Sequence, residues 1–399
     1  MPDLTVDKPK LLWQLQFEGA WPMAVTFLDS GRRLVAGNQD GQLLMWELPE
    51  EPPAFEPKSK TAERQAPSAP PSRRLDGHTN GVTRLVATPD GKWIVSASLD
   101  HSVRLWDVNA EPTGDAEVVV DLETRQAEAK RSRKDDALNQ PGLPVKTQPA
   151  AHVFAGHHDW VEALGINDDG LRVISGDNSS HVFVWDLASR QEVAHWRGRP
   201  WNWIVAAALS PDGQTALVSE HRYKRDDFDV PTTALKLWNV ADATEKLDLM
   251  KVQFPKLMPD DTSYGASQLW RKFVANGLIA ADISPDGKLL ALGQGGETDK
   301  GQIHLLDATT GTLVRDVSGH QYGVTDLRFS SDGKFILSTG RDTTLRITQV
   351  EDGKEVAALG TPRGGQFKDW LSSLAISPDQ KTVAATDIAG MVHVWSLHD

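Results

Sequence analysis

The sequence predicts an all-β domain assembled from seven repeated sheet units, and two regularities carry that prediction. The first is a turn landmark followed at a nearly fixed distance by the end of an apolar strand. Gly31, Gly91, Gly170, Gly333 and Gln380 lie 15 positions before Trp46, Trp106, Trp185, Thr348 and Trp395 (46−31, 106−91, 185−170, 348−333, 395−380). Two units are stretched, with Gly213 25 residues before Trp238 (238−213) and Gly287 19 before Leu306 (306−287). The second regularity is that the stretches between landmarks are short, rich in β-branched and aromatic residues, and bounded by Pro, Asp and Gly, so they read as strands. A unit of this kind cannot bury its apolar face alone and must stack on its neighbours.

The second unit shows the elements in order. Leu75-Asp76-Gly77-His78 leads into Val82–Val86, the turn Pro89-Asp90-Gly91-Lys92, then Trp93–Ser98, Leu99-Asp100-His101 and Val103–Trp106. Pro presets one backbone angle of the turn and Gly supplies the permissive one, and the same turn returns at Pro211-Asp212-Gly213 and Pro285-Asp286-Gly287. A fourth strand follows each such unit, as at His152–Phe154 or Val193–Trp196.

Gly77-His78, Gly156-His157 and Gly319-His320, with Trp106-Asp107 and Trp185-Asp186, resemble the Gly-His and Trp-Asp signatures of the WD40 family. The resemblance spans about residues 11 to 397 and implies a seven-bladed β-propeller, a ring of four-stranded blades around a channel, commonly a platform for other proteins. The Gly-His-x-x-Trp-Val starts and SPDGK-like turns give the chain a bacterial cast. The last unit, Val392–Leu397, supplies only three strands, whereas Leu11–Phe17 is a strand without a blade. Pairing the two closes the ring and removes an open sheet edge. The family also implies a buried relay of His, Ser, Asp and Trp within a blade. Only unit two holds all four at matching positions, as His78, Ser96, Asp100 and Trp106; unit three has Ser179 where the Asp belongs, and unit six has Thr348 where the Trp belongs.

Composition narrows the function. The 399 residues carry a formal charge of −13, which disfavours a nucleic-acid backbone as partner, and the cluster Lys130, Arg131, Arg133 and Lys134 is too local to reverse this. With no cysteine there is no disulfide or thiolate chemistry, which suits a reducing compartment. The polar start MPDLTVDKPK has no secretory core, and no run of about 18 apolar residues appears. The expectation is a soluble cytoplasmic protein with no cofactor, no metal, and neither membrane nor nucleic acid as partner. Residues 1–10 read as a tail and 11–399 as a single domain.

Insertions interrupt the repeats at 49–71, 109–149, 221–233 and 255–275. The first, with seven prolines, reads as an extended mobile loop, and the second as largely unable to fold by itself apart from a possible strand at Val118–Val120. Both follow the third strand of a unit and so fall on one face, the bottom. The other two, with smaller enlargements at 295–301 and 361–369, fall on the top.

The chain has 14 Trp and 3 Tyr. Trp21, Trp160, Trp203 and Trp370 each stand 10 residues before the turn landmark (31−21, 170−160, 213−203, 380−370), where the chain enters its innermost strand from the top. Packing between blades is one explanation. A binding rim for a peptide or protein is the other, with Asp159, Asn202, Tyr223, Trp270, Tyr322 and Asp369 beside the rings and acidic neighbours favouring a basic ligand. The leading functional reading is a non-catalytic interaction scaffold. The alternatives are a hydrolase- or lactonase-like propeller enzyme and a small-ligand sensor. Of the inner strands, only Glu162, Asp282 and Asp326 offer inward acids, and Arg84 and Arg328 stand ready to pair with them. No phosphate-binding glycine loop or nucleophile elbow is present.

Overall fold

The computed structural model describes residues 2–17, 21–56, 65–119, 122–221, 233–252, 277–295, 301–360 and 370–398. Within them the chain forms seven sheets whose order follows the sequence, each antiparallel apart from one parallel pairing in an insertion. Blade two is representative, with Val82–Ala87 innermost, then Trp93–Ser98, Val103–Asp107 and the short outer strand His152–Phe154. The five landmark indoles, Trp46, Trp106, Trp185, Trp238 and Trp395, lie on third strands, and the first two have no exposed surface. Apolar clusters fill the spaces between successive blades: one joins Val82, Leu85, Ile94 and Trp106 of blade two to Ala24, Val35 and Met45 of blade one.

The same defect recurs at the start of every innermost strand. Register slips between Pro22/Ala24, Val82/Arg84, Val161/Ala163, Ile204/Ala206, Leu278/Ala280, Val324/Asp326 and Leu371/Ser373. Such a bulge leaves one residue out of its own ladder, free to reach elsewhere. In three blades that residue is a hydroxyl that donates to the first carbonyl of the next inner strand: Thr83 to Val161 at 2.5 Å, Thr325 to Leu371 at 2.6 Å, and Ser372 to Pro22 at 3.1 Å across the closure. The repeated bulges therefore stitch blade to blade. At the bottom, Gly91 has φ +64°, and a Cβ there would stand 1.9 Å from the Leu28 carbonyl of blade one, so the landmark glycine permits contact between neighbouring turns. Gln380 takes the same backbone shape at φ 60° and sends its side-chain oxygen to the Ser331 N–H of blade six.

Closure occurs as the strand count requires. Lys10–Gln16 pairs antiparallel with Met391–Ser396 as the outer strand of blade seven, Gln14 facing His393 and Leu15 facing Val392. The first ten residues depart from the expected tail. Leu4 is 2% exposed in the core of blades six and seven, the Asp7 N–H donates to the Leu397 carbonyl, and the Leu4 N–H reaches Asp332.

Where they are described, both bottom insertions depart in part from expectation. The described end of the proline-rich segment lies on the closing strand: the Gln14 N–H donates to the Pro67 carbonyl at 2.9 Å, the Ala66 N–H to Gln14 Oε1 at 3.0 Å, and the Trp46 indole to the Ala69 carbonyl at 3.1 Å. Proline contributes carbonyls without competing donors, so it suits a strap over a sheet edge. The described residues of 109–149 fold rather than remaining unstructured. Gly114–Val118 and Leu143–Pro149 extend blade one to six strands, with Leu143–Pro149 parallel to Arg73–Asp76, and a helix, Leu122–Ser132, connects them. Val118 and Val145 join the core of blades one and seven, which gives the segment the burial that its composition seemed to lack.

Removing residues 1–18 withdraws Leu4, Trp13, Leu15 and Phe17, all at most 3% exposed. At about 1.5–3 kcal/mol per buried side chain the loss is roughly 6–12 kcal/mol, comparable with the whole stability of a typical domain, about 5–15 kcal/mol. The truncated protein is expected to be insoluble or to lose its cooperative melt by calorimetry; a melt matching that of the full chain would contradict the closure.

Candidate functional site

Three layers could carry function: the buried relays, the channel and the top rim. In blade two the Trp106 indole donates to Ser96 Oγ at 2.8 Å, Ser96 lies 2.7 Å from His78 Nε2, and His78 Nδ1 lies 2.8 Å from Asp100. The carboxylate can only accept, so Nδ1 is the donor and Nε2 of the neutral ring accepts from the serine. Blade three has a complete relay as well, which corrects the expectation for Ser179. His157 bonds Ser175 at 2.7 Å and Asp177 at 2.9 Å, and Trp185 donates to Ser175 at 2.9 Å. Asp177 ends the second strand, two positions before Ser179, and reaches the same ring from there; the Ser179 hydroxyl bonds Asp159 instead. In blade six His320 keeps Ser338 at 2.8 Å and Asp342 at 2.9 Å, with Thr348 buried in the indole's place.

Burial lowers the pKa of His78 and of His157, partly offset by Asp100 and Asp177. Burial alone would raise Asp100, but the hydrogen bond and charge of His78 outweigh it and hold the carboxyl well below its usual range. These groups are fully bonded within the fold and act as struts.

The channel acids have a similar role. Asp282 accepts the Phe329 N–H of blade six at 2.8 Å, and Asp326 accepts the Leu374 N–H of blade seven at 3.0 Å. Burial pushes the Asp282 carboxyl up to about 6, against the pull of Arg328 and of two backbone N–H groups. Burial likewise raises Glu162, opposed by Asn178 and Arg84. Both expected charge partners are thus in place, and two of the three acids brace neighbouring blades. Among the described residues no group of three or more His, Cys, Asp or Glu is placed to hold a metal, and no helix is long and apolar enough to cross a membrane.

At the top rim the four indoles diverge. Trp21 and Trp160 are 52% and 48% exposed. Trp203 begins its strand half-buried opposite His221, and Trp370 lies half-buried with the Arg341 guanidinium 4.7 Å from its ring centre. Asp159, half-buried, receives the Trp160 N–H at 2.8 Å, while Tyr322 is half-buried. Asn202, expected at the surface beside the rings, is 2% exposed and donates to Glu220 at 3.0 Å. Tyr223, Trp270 and Asp369 lie outside the described residues.

The residue missed by sequence reasoning is Trp201, 84% exposed at φ 70°. It occupies the third place of the turn Arg199-Pro200-Trp201-Asn202, closed by the Asn202 N–H on the Arg199 carbonyl at 3.1 Å. Proline in second place and positive φ in third are the features of a type II turn, where glycine or asparagine normally stands. Left-handed backbone costs such a residue about 1–2 kcal/mol. The surroundings hold the turn firmly: the Ser180 hydroxyl lies 2.7 and 2.6 Å from the Arg199 and Asn202 carbonyls, and Glu220 accepts the Arg199 N–H at 2.9 Å. The visible signal was the two tryptophans of Trp201-Asn202-Trp203 directly after a proline.

Residues 69–107, 149–186 and 311–348 match the family model described as WD domain, G-beta repeat, known as WD40. The molecule is a seven-bladed β-propeller carrying WD40 repeats. Similar proteins include Autophagy-related protein 16 of Arabidopsis thaliana, 29% identical over 328 residues covering 82% of this chain and 49% of that protein. Nuclear distribution protein PAC1 of Arthroderma otae is 26% identical over 251 residues, 58% of this chain and 46% of its own length. WD repeat-containing protein 1 of Gallus gallus is 22% identical over 413 residues, 94% and 61% respectively. The chain therefore spans about half to three-fifths of these relatives. All three are eukaryotic, and the bacterial cast of the turns gains no support from them.

The relays set a pH dependence. The folded pKa of His78 and His157 lies below the ordinary 6.5, so below that value the unfolded chain takes up protons that the folded one resists. Their stabilising contribution is complete above about pH 6.5 and declines as the pH falls through the folded values. Denaturant melts from pH 7.5 down to 5 should show this decline, with a shallower slope in His157→Asn; an unchanged slope would contradict it. Ser175→Ala, which orphans both the indole and His157, should cost about 1–3 kcal/mol at neutral pH.

Proposed function

We propose that this protein is a non-catalytic interaction scaffold that offers the aromatic top rim of its propeller to a peptide or protein partner. The observation that carries this reading is Trp201, a large apolar side chain held in solvent on a strained, tightly braced turn. Such strain persists only where surrounding structure enforces it, and it gathers at functional sites. Trp21 and Trp160 add exposed indoles on the same face, and tryptophan is enriched among residues that dominate binding energy. Asp159 beside Trp160 favours a basic partner, whose cations can sit over the indole faces. The WD40 repeats and the likeness to the named relatives support a binding role. The enzyme alternative is weaker because Asp282 and Asp326 are tied to the backbone of neighbouring blades. A reducing, cytoplasmic setting belongs to the same reading and rests on the cysteine-free composition.

Trp201→Gly separates a binding role from a packing role. Glycine relieves the left-handed backbone, so stability should hold or rise by up to about 1 kcal/mol. Affinity capture from the native cell should lose its specific partners with this variant and with Trp160→Ala. Capture of the same partners by both variants, at unchanged yield, would contradict the rim.

A further inference from the structure

The helix in the 109–149 insertion carries cations of two different kinds. Arg125 is 8% exposed, and its guanidinium donates to the carbonyls of Gln140 and Pro141, the latter at 2.9 Å, holding the helix to the returning chain. Glu117 helps by accepting the Gly142 N–H at 3.0 Å. Lys130, Arg131, Arg133 and Lys134 are all exposed, and none forms an ion pair among the described residues. The helix ends with Arg133 at φ 56° and the Lys134 N–H on the Ala129 carbonyl at 3.2 Å. This is a left-handed cap, a place where glycine is usual. An arginine there keeps a fourth cation at the tip.

We propose that this tip is a docking site for an acidic peptide segment of a partner protein, on the bottom side and separate from the aromatic rim. The chain as a whole is acidic, at −13, so the four cations form a local positive field that steers an anionic segment to one place. The segment is already ordered by Arg125, so little freedom is lost when a partner binds. Two other polyanions fit less well. The exposed positions among the helix's described residues, Glu128, Lys130, Arg131 and Ser132, are all polar and offer nothing apolar to a bilayer. A nucleic-acid backbone needs a basic surface over many phosphates, whereas Asp135 and Asp136 follow immediately.

The test uses the full chain and a fluorescent polyglutamate peptide, followed by anisotropy at several salt concentrations. Binding should weaken as salt rises and should fall about tenfold or more when all four cations are changed to Gln, about 1.4 kcal/mol. Lys251→Gln, an exposed lysine elsewhere, should change nothing. If the fourfold variant melts early, Lys130→Gln with Lys134→Gln serves in its place and should lose severalfold. Equal binding by wild type and variant would overturn the proposal. So would tighter binding of a DNA duplex or of phosphatidylserine vesicles through the same four residues.

Discussion

Every blade of this molecule depends on its two neighbours, because each sheet has an apolar face that only the next sheet can cover. The constraint has no solution in an open arc, which would leave two faces in water. It is met here by one backbone pairing, in which the chain's first strand lies against its last, Lys10–Gln16 against Met391–Ser396. The stitches between inner strands, Thr83 to Val161 and Ser372 to Pro22 among them, then run around the ring and across its seam. That seam is reinforced from outside. Residues 2–7 dock on blades six and seven, and the strap at Ala66–Ala69 lies on the closing strand, so its outer edge is not left open.

Polar groups in the interior follow the same logic. A histidine, serine, aspartate and tryptophan in one blade satisfy one another in a chain of hydrogen bonds, and the channel aspartates accept backbone N–H groups from the blade ahead. An unpaired buried polar group costs about 1–3 kcal/mol, so these arrangements specify both the fold of each blade and the angle to the next. Rigidity of that kind makes the two faces dependable platforms, the top with its indoles and the bottom with its folded insertion.

Much of the architecture was legible because it is periodic. The 15-residue spacing from turn to tryptophan located the third strands, and the unequal ends predicted the closure. What escaped was aperiodic or depended on three dimensions. Asp177 replaces the expected relay residue from two positions away, since a strand end and a turn can present a carboxylate to the same ring. Residues 109–149 have the composition of a loop, yet Val118 and Val145 find a core that exists only once blade one has formed. The rim was half visible. Sequence placed Trp21 and Trp160 on the top face but could not distinguish them from Trp370, which packs under Arg341, and it missed Trp201 because the proline before it marks a turn without showing that the tryptophan takes a glycine's place there.

The closing strand offers the most direct test of the account as a whole. Amide hydrogen exchange over residues 10–16 in the intact protein should show protection comparable with that of Met391–Ser396, both strands opening only when the ring unfolds globally. Exchange of residues 10–16 at the rate of a free peptide, while 391–396 stays protected, would show that the ring does not close through its first strand.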